Sequence, residues 1–263
     1  MMGGLTDFDV DPLEHSSAPV PLQETPILCG KNPNMTPTDA DFDQYDRQYQ
    51  KLVEDSISFS GVNHDYVTRI KADLIVEVAR RRFGDLKGRR VLDVGCGVGL
   101  TDRCLAGHAW QVSATDVSSK SIEQARQRNP NVSYVVGDEN RLPFEDSTFD
   151  VCFTICVMHH VPPEKWTTFL REMRRVLKPD GVAMVLEHNP LNPLTRLAVN
   201  RCPFDANAVL LSNNTLKREL SAAELKPLGT SFFLFTPWEK LRFLDRLLGW
   251  LPFGAQYCVV AAR

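Results

Sequence analysis

The sequence has no disulfide pattern. Its seven cysteines, Cys29, Cys96, Cys104, Cys152, Cys156, Cys202 and Cys258, are odd in number and include no CxxC pair. Scattered thiols of this kind argue against a disulfide framework or a zinc knuckle and predict a reducing, cytoplasmic setting. No apolar run reaches the roughly 18 residues that a spanning helix needs, and no early stretch has signal-peptide character. Lys and Arg form no block, and the net charge is only −3. Nucleic-acid binding calls for a clustered basic face, so no such partner is expected. No internal repeat is evident, which excludes a solenoid.

What is present is patterned. Pro12, Pro19, Pro21, Pro26, Pro33 and Pro37 lie among polar residues in the first 38 positions. Such a stretch reads as a disordered leader, or a strap. Residues 39–263 then read as one domain, with a cofactor-binding core at 85–187 and an acceptor-side lid and C-terminal elements at 188–255. Phe42, Tyr45 and Tyr49 recur at helical spacing. Val67, Ile70, Leu74, Ile75 and Val78 form the apolar face of a longer helix. Apolar runs at 91–94, 112–115, 132–136, 151–155 and 182–186 alternate with helical stretches at 100–106, 119–128 and 164–177. Apolar strands separated by helices predict a parallel sheet covered on both faces. Lys178-Pro179-Asp180-Gly181 reads as the turn into the fifth run. Later helices are expected at 194–199 and 215–223, with strands at 231–235 and 257–261. The expected fold is α/β: a Rossmann-like, seven-stranded, mostly parallel sheet in a three-layer sandwich.

The most informative segment is Val91-Leu92-Asp93-Val94-Gly95-Cys96-Gly97-Val98-Gly99. A strand runs into glycines at alternate positions, where a tight turn lets a ligand approach the backbone. A dinucleotide fingerprint wants glycine where Leu100 stands, which disfavours a nicotinamide-dependent oxidoreductase. Asp116 follows the second run and Asp138 the third, so both acids fall at strand ends facing the glycine turn. An acid about 20 residues past such glycines suits a ribose diol. For each acid the competing reading is a helix N-cap.

As a set these segments resemble the class I S-adenosylmethionine (SAM)-dependent methyltransferases, in particular their UbiE-like, Methyltransf_11-type branch. The resemblance rests on 91–99, on Asp116, on Gly137-Asp138 with Leu142-Pro143-Phe144, on Phe149-Asp150-Val151 with His159-His160-Val161, and on Leu177–Gly181. It implies S-adenosyl-L-methionine as cofactor. Asp93, Gly95, Gly97 and Gly99, with Cys96, would hold its methionine part. Asp116 and Val117 would take the ribose, and Asp138 and Glu139 the adenine, with Ile155 nearby. The segment 41–49 is similar to the family's N-terminal element, which would bring Tyr49 to the cofactor, although the element's alanine is Asp46 here.

SAM presents an electrophilic methyl, so alignment with the acceptor does most of the work. A hydroxyl acceptor also benefits from a base. His159, His160 and His188 stand at strand ends and are the candidates; for the first two, packing and helix capping is the competing reading. No carboxylate cluster accompanies them, so no metal is expected. Cys152 and Cys156 read as core. Residues 187–211 are long for a strand-to-helix connection, as lids often are. With 254–257 they resemble a bacterial subgroup that accompanies surface-polysaccharide glycosyltransferases. Across 238–251, Trp238, Leu241, Leu244, Leu247, Leu248 and Leu251 share one helical face, with Phe232, Phe233, Phe235 and Phe253 adding apolar surface. That face either packs on the sheet or meets a membrane interface. The expected acceptor is thus a small molecule, a saccharide or a lipid-linked compound, met peripherally at the inner membrane surface. A catalytically silent SAM-binding subunit is the alternative.

Overall fold

The computed structural model describes residues 27–28, 55–57, 61 and 63–263. The leader at 1–38, apart from Ile27–Leu28, and the 41–49 element with Tyr49 lie outside the described residues. Ile27–Leu28 pairs antiparallel with Val209–Leu210, inside the long connection after the fifth sheet strand.

The main sheet has seven strands: β1 (Arg90–Val94), β2 (Gln111–Asp116), β3 (Ser133–Val136), β4 (Phe149–Ile155), β5 (Leu177–His188), β6 (Lys226–Phe233) and β7 (Gln256–Ala262). Their order is β3-β2-β1-β4-β5-β7-β6. Strands β1 to β5 pair in parallel, and β7 runs antiparallel to both β5 and β6. The sequence of strands reverses between β1 and β4. At such a switch point, crossovers diverge to opposite faces and leave a crevice above the strand ends.

Side-chain alternation builds two cores. Val91, Val151, Phe153, Val182, Met184 and Leu186 face one side, and Leu92, Cys152, Ala183 and Val185 face the other. The first face is covered by α1 (His64–Phe83), α2 (Leu100–Leu105) and α3 (Ser119–Arg128). The second is covered by α4 (Trp166–Val176) and α6 (Asn213–Ala222). Burial of one such large apolar side chain contributes about 1.5–3 kcal/mol. Helix α1 begins at Asn63, whose side chain accepts from the Asp65 and Tyr66 amides, and ends at Gly84 with φ 74°. Its inward face is offset from the expected one: Ile70 and Ile75 are buried with Tyr66, Val76 and Ala79, whereas Val67, Leu74 and Val78 are half-buried.

Three expectations are corrected. Lys178–Gly181 is the irregular start of β5, where the ladder with β4 shifts register between Phe149 and Val151, and no separate turn forms. The region 238–251 is not one helix but a 3₁₀ turn, Glu239–Leu241, followed by α7 (Phe243–Leu248). Its apolar side chains do not all turn inward: Trp238, Phe243, Leu247 and Trp250 are exposed, while Phe232 and Phe233 of β6 are the buried ones. No described helix is long and apolar enough to cross a membrane.

Candidate active site

The crevice at the β1/β4 switch opens into a cavity of about 950 Å³. Small-molecule sites usually fall between about 300 and 1,000 Å³. The space therefore holds a nucleoside-sized cofactor and part of a second molecule.

Its floor is the glycine turn. Gly95, Gly97 and Gly99 have φ of 79°, 52° and 73°, a region that strains side-chain-bearing residues. The Gly95 and Cys96 amides donate to Thr115 O, which ties the turn to β2. A Cβ on Gly99 would lie 2.5 Å from Tyr134 Oη, whereas one on Gly97 would meet only open space. Beneath the turn, Asn129 Nδ2 donates to Gly99 O and to Tyr134 Oη, and Tyr134 Oη donates to Asp102 Oδ2. Asn129, Tyr134 and Asp102 are the supports that sequence reasoning missed, because none belongs to a glycine-turn pattern.

Asp93 and Asp102 are a buried acid pair. Burial pushes the Asp93 carboxyl well above the usual carboxylate range, and Asp102 beside it adds to the effect. Burial likewise raises Asp102, to about 6, against the opposing Tyr134 hydrogen bond. Two carboxyls buried side by side resist ionising together. Asp93 Oδ1 is buried, lines the cavity and has no hydrogen-bond partner, so it fits a cationic group such as the ammonium of a methionine moiety.

Asp116 and Asp138 take their expected places. Asp116 Oδ2 accepts from Gly97 N at 2.7 Å and Oδ1 from Ser118 N at 2.9 Å. Its carboxylate thus joins the end of β2 to the glycine turn on the cavity wall. Asp138 is not a helix cap; its Oδ1 closes a turn by accepting from Asn140 N and Arg141 N. Those amides hold its carboxyl below the ordinary range. Val117, Glu139 and Ile155 also line the cavity, and Glu139 pairs with Lys165 at its rim. This donor set fits SAM: an acid with an unsatisfied oxygen for the ammonium, a strand-end acid for the diol, and a polar edge beside Leu142 for the base. Asp116→Ala should weaken SAM binding by about 1.5–3 kcal/mol, the worth of a hydrogen bond to a charged group, and leave the thermal melt nearly unchanged. Calorimetric titration checks this; unaltered affinity in a folded variant would remove Asp116 from the site.

The three histidines separate into different roles. His159 is buried, with Nδ1 2.7 Å from Glu187 Oε2 and Nε2 3.4 Å from Asp205 Oδ1. Burial would lower its proton affinity, but the two carboxylates override that and raise it well above the ordinary histidine value. With a carboxylate beside each nitrogen, His159 is held in its protonated form and offers no basic lone pair to an acceptor's proton. The expectation that it serves as a base is corrected accordingly. The His160 ring lies 4.1 Å from it between centroids, tilted by 51°, with Nε2 3.3 Å from the same Asp205 oxygen. Burial and the neighbouring His159 charge lower its proton affinity. His188 is half-buried on the cavity wall, with Nδ1 3.3 Å from Gln256 Nε2.

Asp205 was missed because it lies in the connection after β5, far from any motif. It brings a carboxylate within 4.8 Å of ligand-type atoms of His159 and His188, a grouping absent from the sequence reading. Cys152 is core as expected, but Cys156 is not: it lines the cavity.

A family model described as a methyltransferase domain matches residues 91–181. The chain is 27% identical over 198 residues to 2-methyl-6-phytyl-1,4-hydroquinone methyltransferase from Synechocystis, covering 67% of this chain and 61% of that protein. It is 35% identical over 105 residues to demethylmenaquinone methyltransferase from Beutenbergia cavernae, covering 40% and 43% of the two chains. The chain therefore spans less than two thirds of these relatives' length. The crystal structure of a SAM-dependent methyltransferase from Aquifex aeolicus superposes with a TM-score of 0.53 at 19% identity, covering 80% of this chain and 97% of that one. Strand order, glycine turn and strand-end acids agree with the matched segment: residues 91–181 are similar to a methyltransferase domain, and the fold is that of SAM-dependent methyltransferases.

Proposed function

We propose that this protein transfers a methyl group from SAM to an electron-rich, hydroxyl-bearing ring with an apolar tail, of the hydroquinone type. The observation that carries the proposal is the shape and lining of one cavity. Polar strand ends with Asp93 and Asp116 line it together with the apolar side chains of Leu194, Ala198, Phe235 and Pro237. The names of two relatives, a phytyl-hydroquinone and a demethylmenaquinone methyltransferase, support that acceptor class.

SAM, when bound, supplies a methyl on a sulfonium, an electrophile that needs no further activation. The chain's part is to bind, align and exclude water. The glycine turn and Asp93 hold the methionine end, and Asp116 orients the ribose. His188, which lines the cavity wall, accepts the hydroxyl proton of the ring in its neutral form, the form that no longer pairs with an ionised Cys156. The segment from α5 (Pro193–Arg201) to Asp205 roofs the site, fixed by the Asp205 contacts with His159 and His160.

The outer mouth also fits a membrane surface. Leu191, Leu194 and Leu197 are exposed on and beside α5, as are Trp238, Phe243, Leu247, Trp250 and Phe253. Asn192 Nδ2 donates to Phe253 O, which holds these two groups side by side. Arg196, Lys240 and Arg246 are exposed among them. Tryptophans with interspersed basic residues suit an anionic lipid interface. A tailed acceptor would then enter from the cytoplasmic face of the membrane. Vesicles containing anionic lipid should carry wild-type protein upward in a flotation gradient, and Trp238→Glu with Trp250→Glu should abolish this without changing the melt.

The acceptor reading is tested by comparing hydroquinones of increasing tail length with [methyl-³H]SAM. We expect kcat/KM to rise with tail length. Equal or better turnover of small polar acceptors would overturn it.

A further inference from the structure

Cys156 stands at the end of β4 with φ 55°, a left-handed conformation that a side-chain-bearing residue adopts at some cost. Its amide donates to Leu186 O, which fixes the backbone there and turns the thiol into the cavity. Three side chains converge on the sulfur from different elements. Lys71 Nζ of α1 lies at 3.7 Å and Gln256 Nε2 of β7 at 3.6 Å. His188 at the end of β5 is the third, with its Nδ1 3.3 Å from the same Gln256 Nε2. Burial would raise the thiol's pKa, but His188 and Lys71 outweigh it and pull the group down to about 7. Burial does the reverse at Cys96, Cys104, Cys152 and Cys258, all of which are pushed up. One thiol among these five is thus set apart, and it lies in the cavity wall.

A second feature points to a ligand at the same spot. Gln256 is only 6% exposed, and its Oε1 is buried without a hydrogen-bond partner while Nε2 is engaged with Cys156 and His188. An amide oxygen left this way is ready for a donor that the protein does not supply. The cluster therefore offers a sulfur nucleophile, an ammonium donor and an acceptor oxygen around one point.

We propose that Cys156 is a covalent capture site for quinones and related α,β-unsaturated carbonyl compounds that enter the cavity. Lys71 donates to the ring carbonyl oxygen and draws electron density from the ring. The Cys156 thiolate attacks an open ring carbon, forming a C–S bond while the ring π electrons move to that oxygen. The oxygen takes a proton from water, the attacked carbon's own proton passes through water to the second carbonyl oxygen, and a hydroquinone thioether results. The quinone is reduced to the hydroquinone level as the thiolate becomes a thioether, so no further oxidant or reductant is needed. The new ring hydroxyl donates to Gln256 Oε1. The site goes beyond methyl transfer and does not depend on which acceptor is methylated. If the acceptor is itself a hydroquinone, its oxidised form would block the enzyme at this position.

The test is incubation of the full-length protein with 2-methyl-1,4-naphthoquinone at several pH values, followed by intact-mass measurement and peptide mapping. At neutral pH a thiol with pKa near 7 holds about sixteen times the thiolate of an ordinary one but is less nucleophilic, so it reacts roughly 3- to 4-fold faster. We expect a single quinone unit on Cys156, with a rate midpoint near pH 7. Cys156→Ser should lose that adduct. Lys71→Met should raise the midpoint and slow the reaction at pH 7 while leaving the circular dichroism melt unchanged, and His188→Gln provides a second variant with the same expectation. Labelling spread evenly over the cysteines, or a Cys156 rate that rises only above about pH 8.5 as for an ordinary thiol, would overturn the proposal. Neither result bears on whether SAM binds, which a calorimetric titration of the same sample reads separately.

Discussion

Glu187→Ala should lower the unfolding free energy by about 3–5 kcal/mol, the usual penalty for removing one partner of a buried ion pair. In a domain of this size that is a fall in Tm of roughly 6–20 °C. Glu187 is fully buried at the end of β5, and each carboxylate oxygen is used. Oε1 accepts from Met158 N at 2.8 Å, and Oε2 pairs with His159. Removing the side chain strands a buried imidazolium beside Asp205 alone and frees the turn that follows β4. Glu187→Gln keeps an oxygen for Met158 N and should lose about half as much.

The same network fixes the pH window of the effect. Burial would raise Glu187 and Asp205, but the His159 charge overrides it and holds both below the ordinary carboxylate range. Their contribution is present above the unfolded carboxylate pKa of about 4 and fades as pH falls through the lower folded values. His159 is raised, so its contribution is complete below about 6.5 and fades as pH climbs through the raised folded value. Urea melts of wild type and Glu187→Ala should therefore differ most between about pH 4.5 and 6.5 and converge in alkali. A difference that grows with pH would contradict a charged His159 bridge.

The second large effect concerns the glycine turn. Gly95→Ala should weaken SAM binding roughly 5- to 150-fold, the equivalent of about 1–3 kcal/mol of backbone strain. Gly95 has φ 79°, and an added Cβ would lie 2.4 Å from Val157 Cγ2. Val157 is stiff at χ1, so the turn moves instead of the valine. The collision and the strain are separable. Pairing Gly95→Ala with Val157→Ala removes the collision and leaves the φ, so affinity should return only in part. Wild-type affinity in the single variant would show that the cofactor does not sit on this turn.

The legible parts of the sequence were those set by local pattern. Strands β1, β2 and β4 lie within two residues of their apolar runs, because a strand buried on both faces is a continuous hydrophobic segment. The glycine turn was legible because only glycine tolerates three positive φ values in five residues. The missed parts depend on tertiary approach. Lys71 is one polar residue on an amphipathic helix, and nothing local shows that it leans toward Cys156. Cys156 itself continues the apolar run of β4 and reads as core until its φ turns it into the cavity. The region 238–251 carries a sound helical pattern, yet it breaks at Arg242. There, part of its apolar face has no layer to cover it.

The central claim is that the glycine turn and strand-end acids bind SAM for methyl transfer to a tailed hydroquinone. The most direct measurement titrates SAM and, in parallel, NAD into the full-length protein, then follows S-adenosylhomocysteine release with 2-methyl-6-phytyl-1,4-hydroquinone present. The account predicts saturable heat with SAM, none with NAD, and S-adenosylhomocysteine formed in step with methylated, solvent-extractable product. Heat with NAD and none with SAM, or SAM bound with no S-adenosylhomocysteine formed, would contradict it.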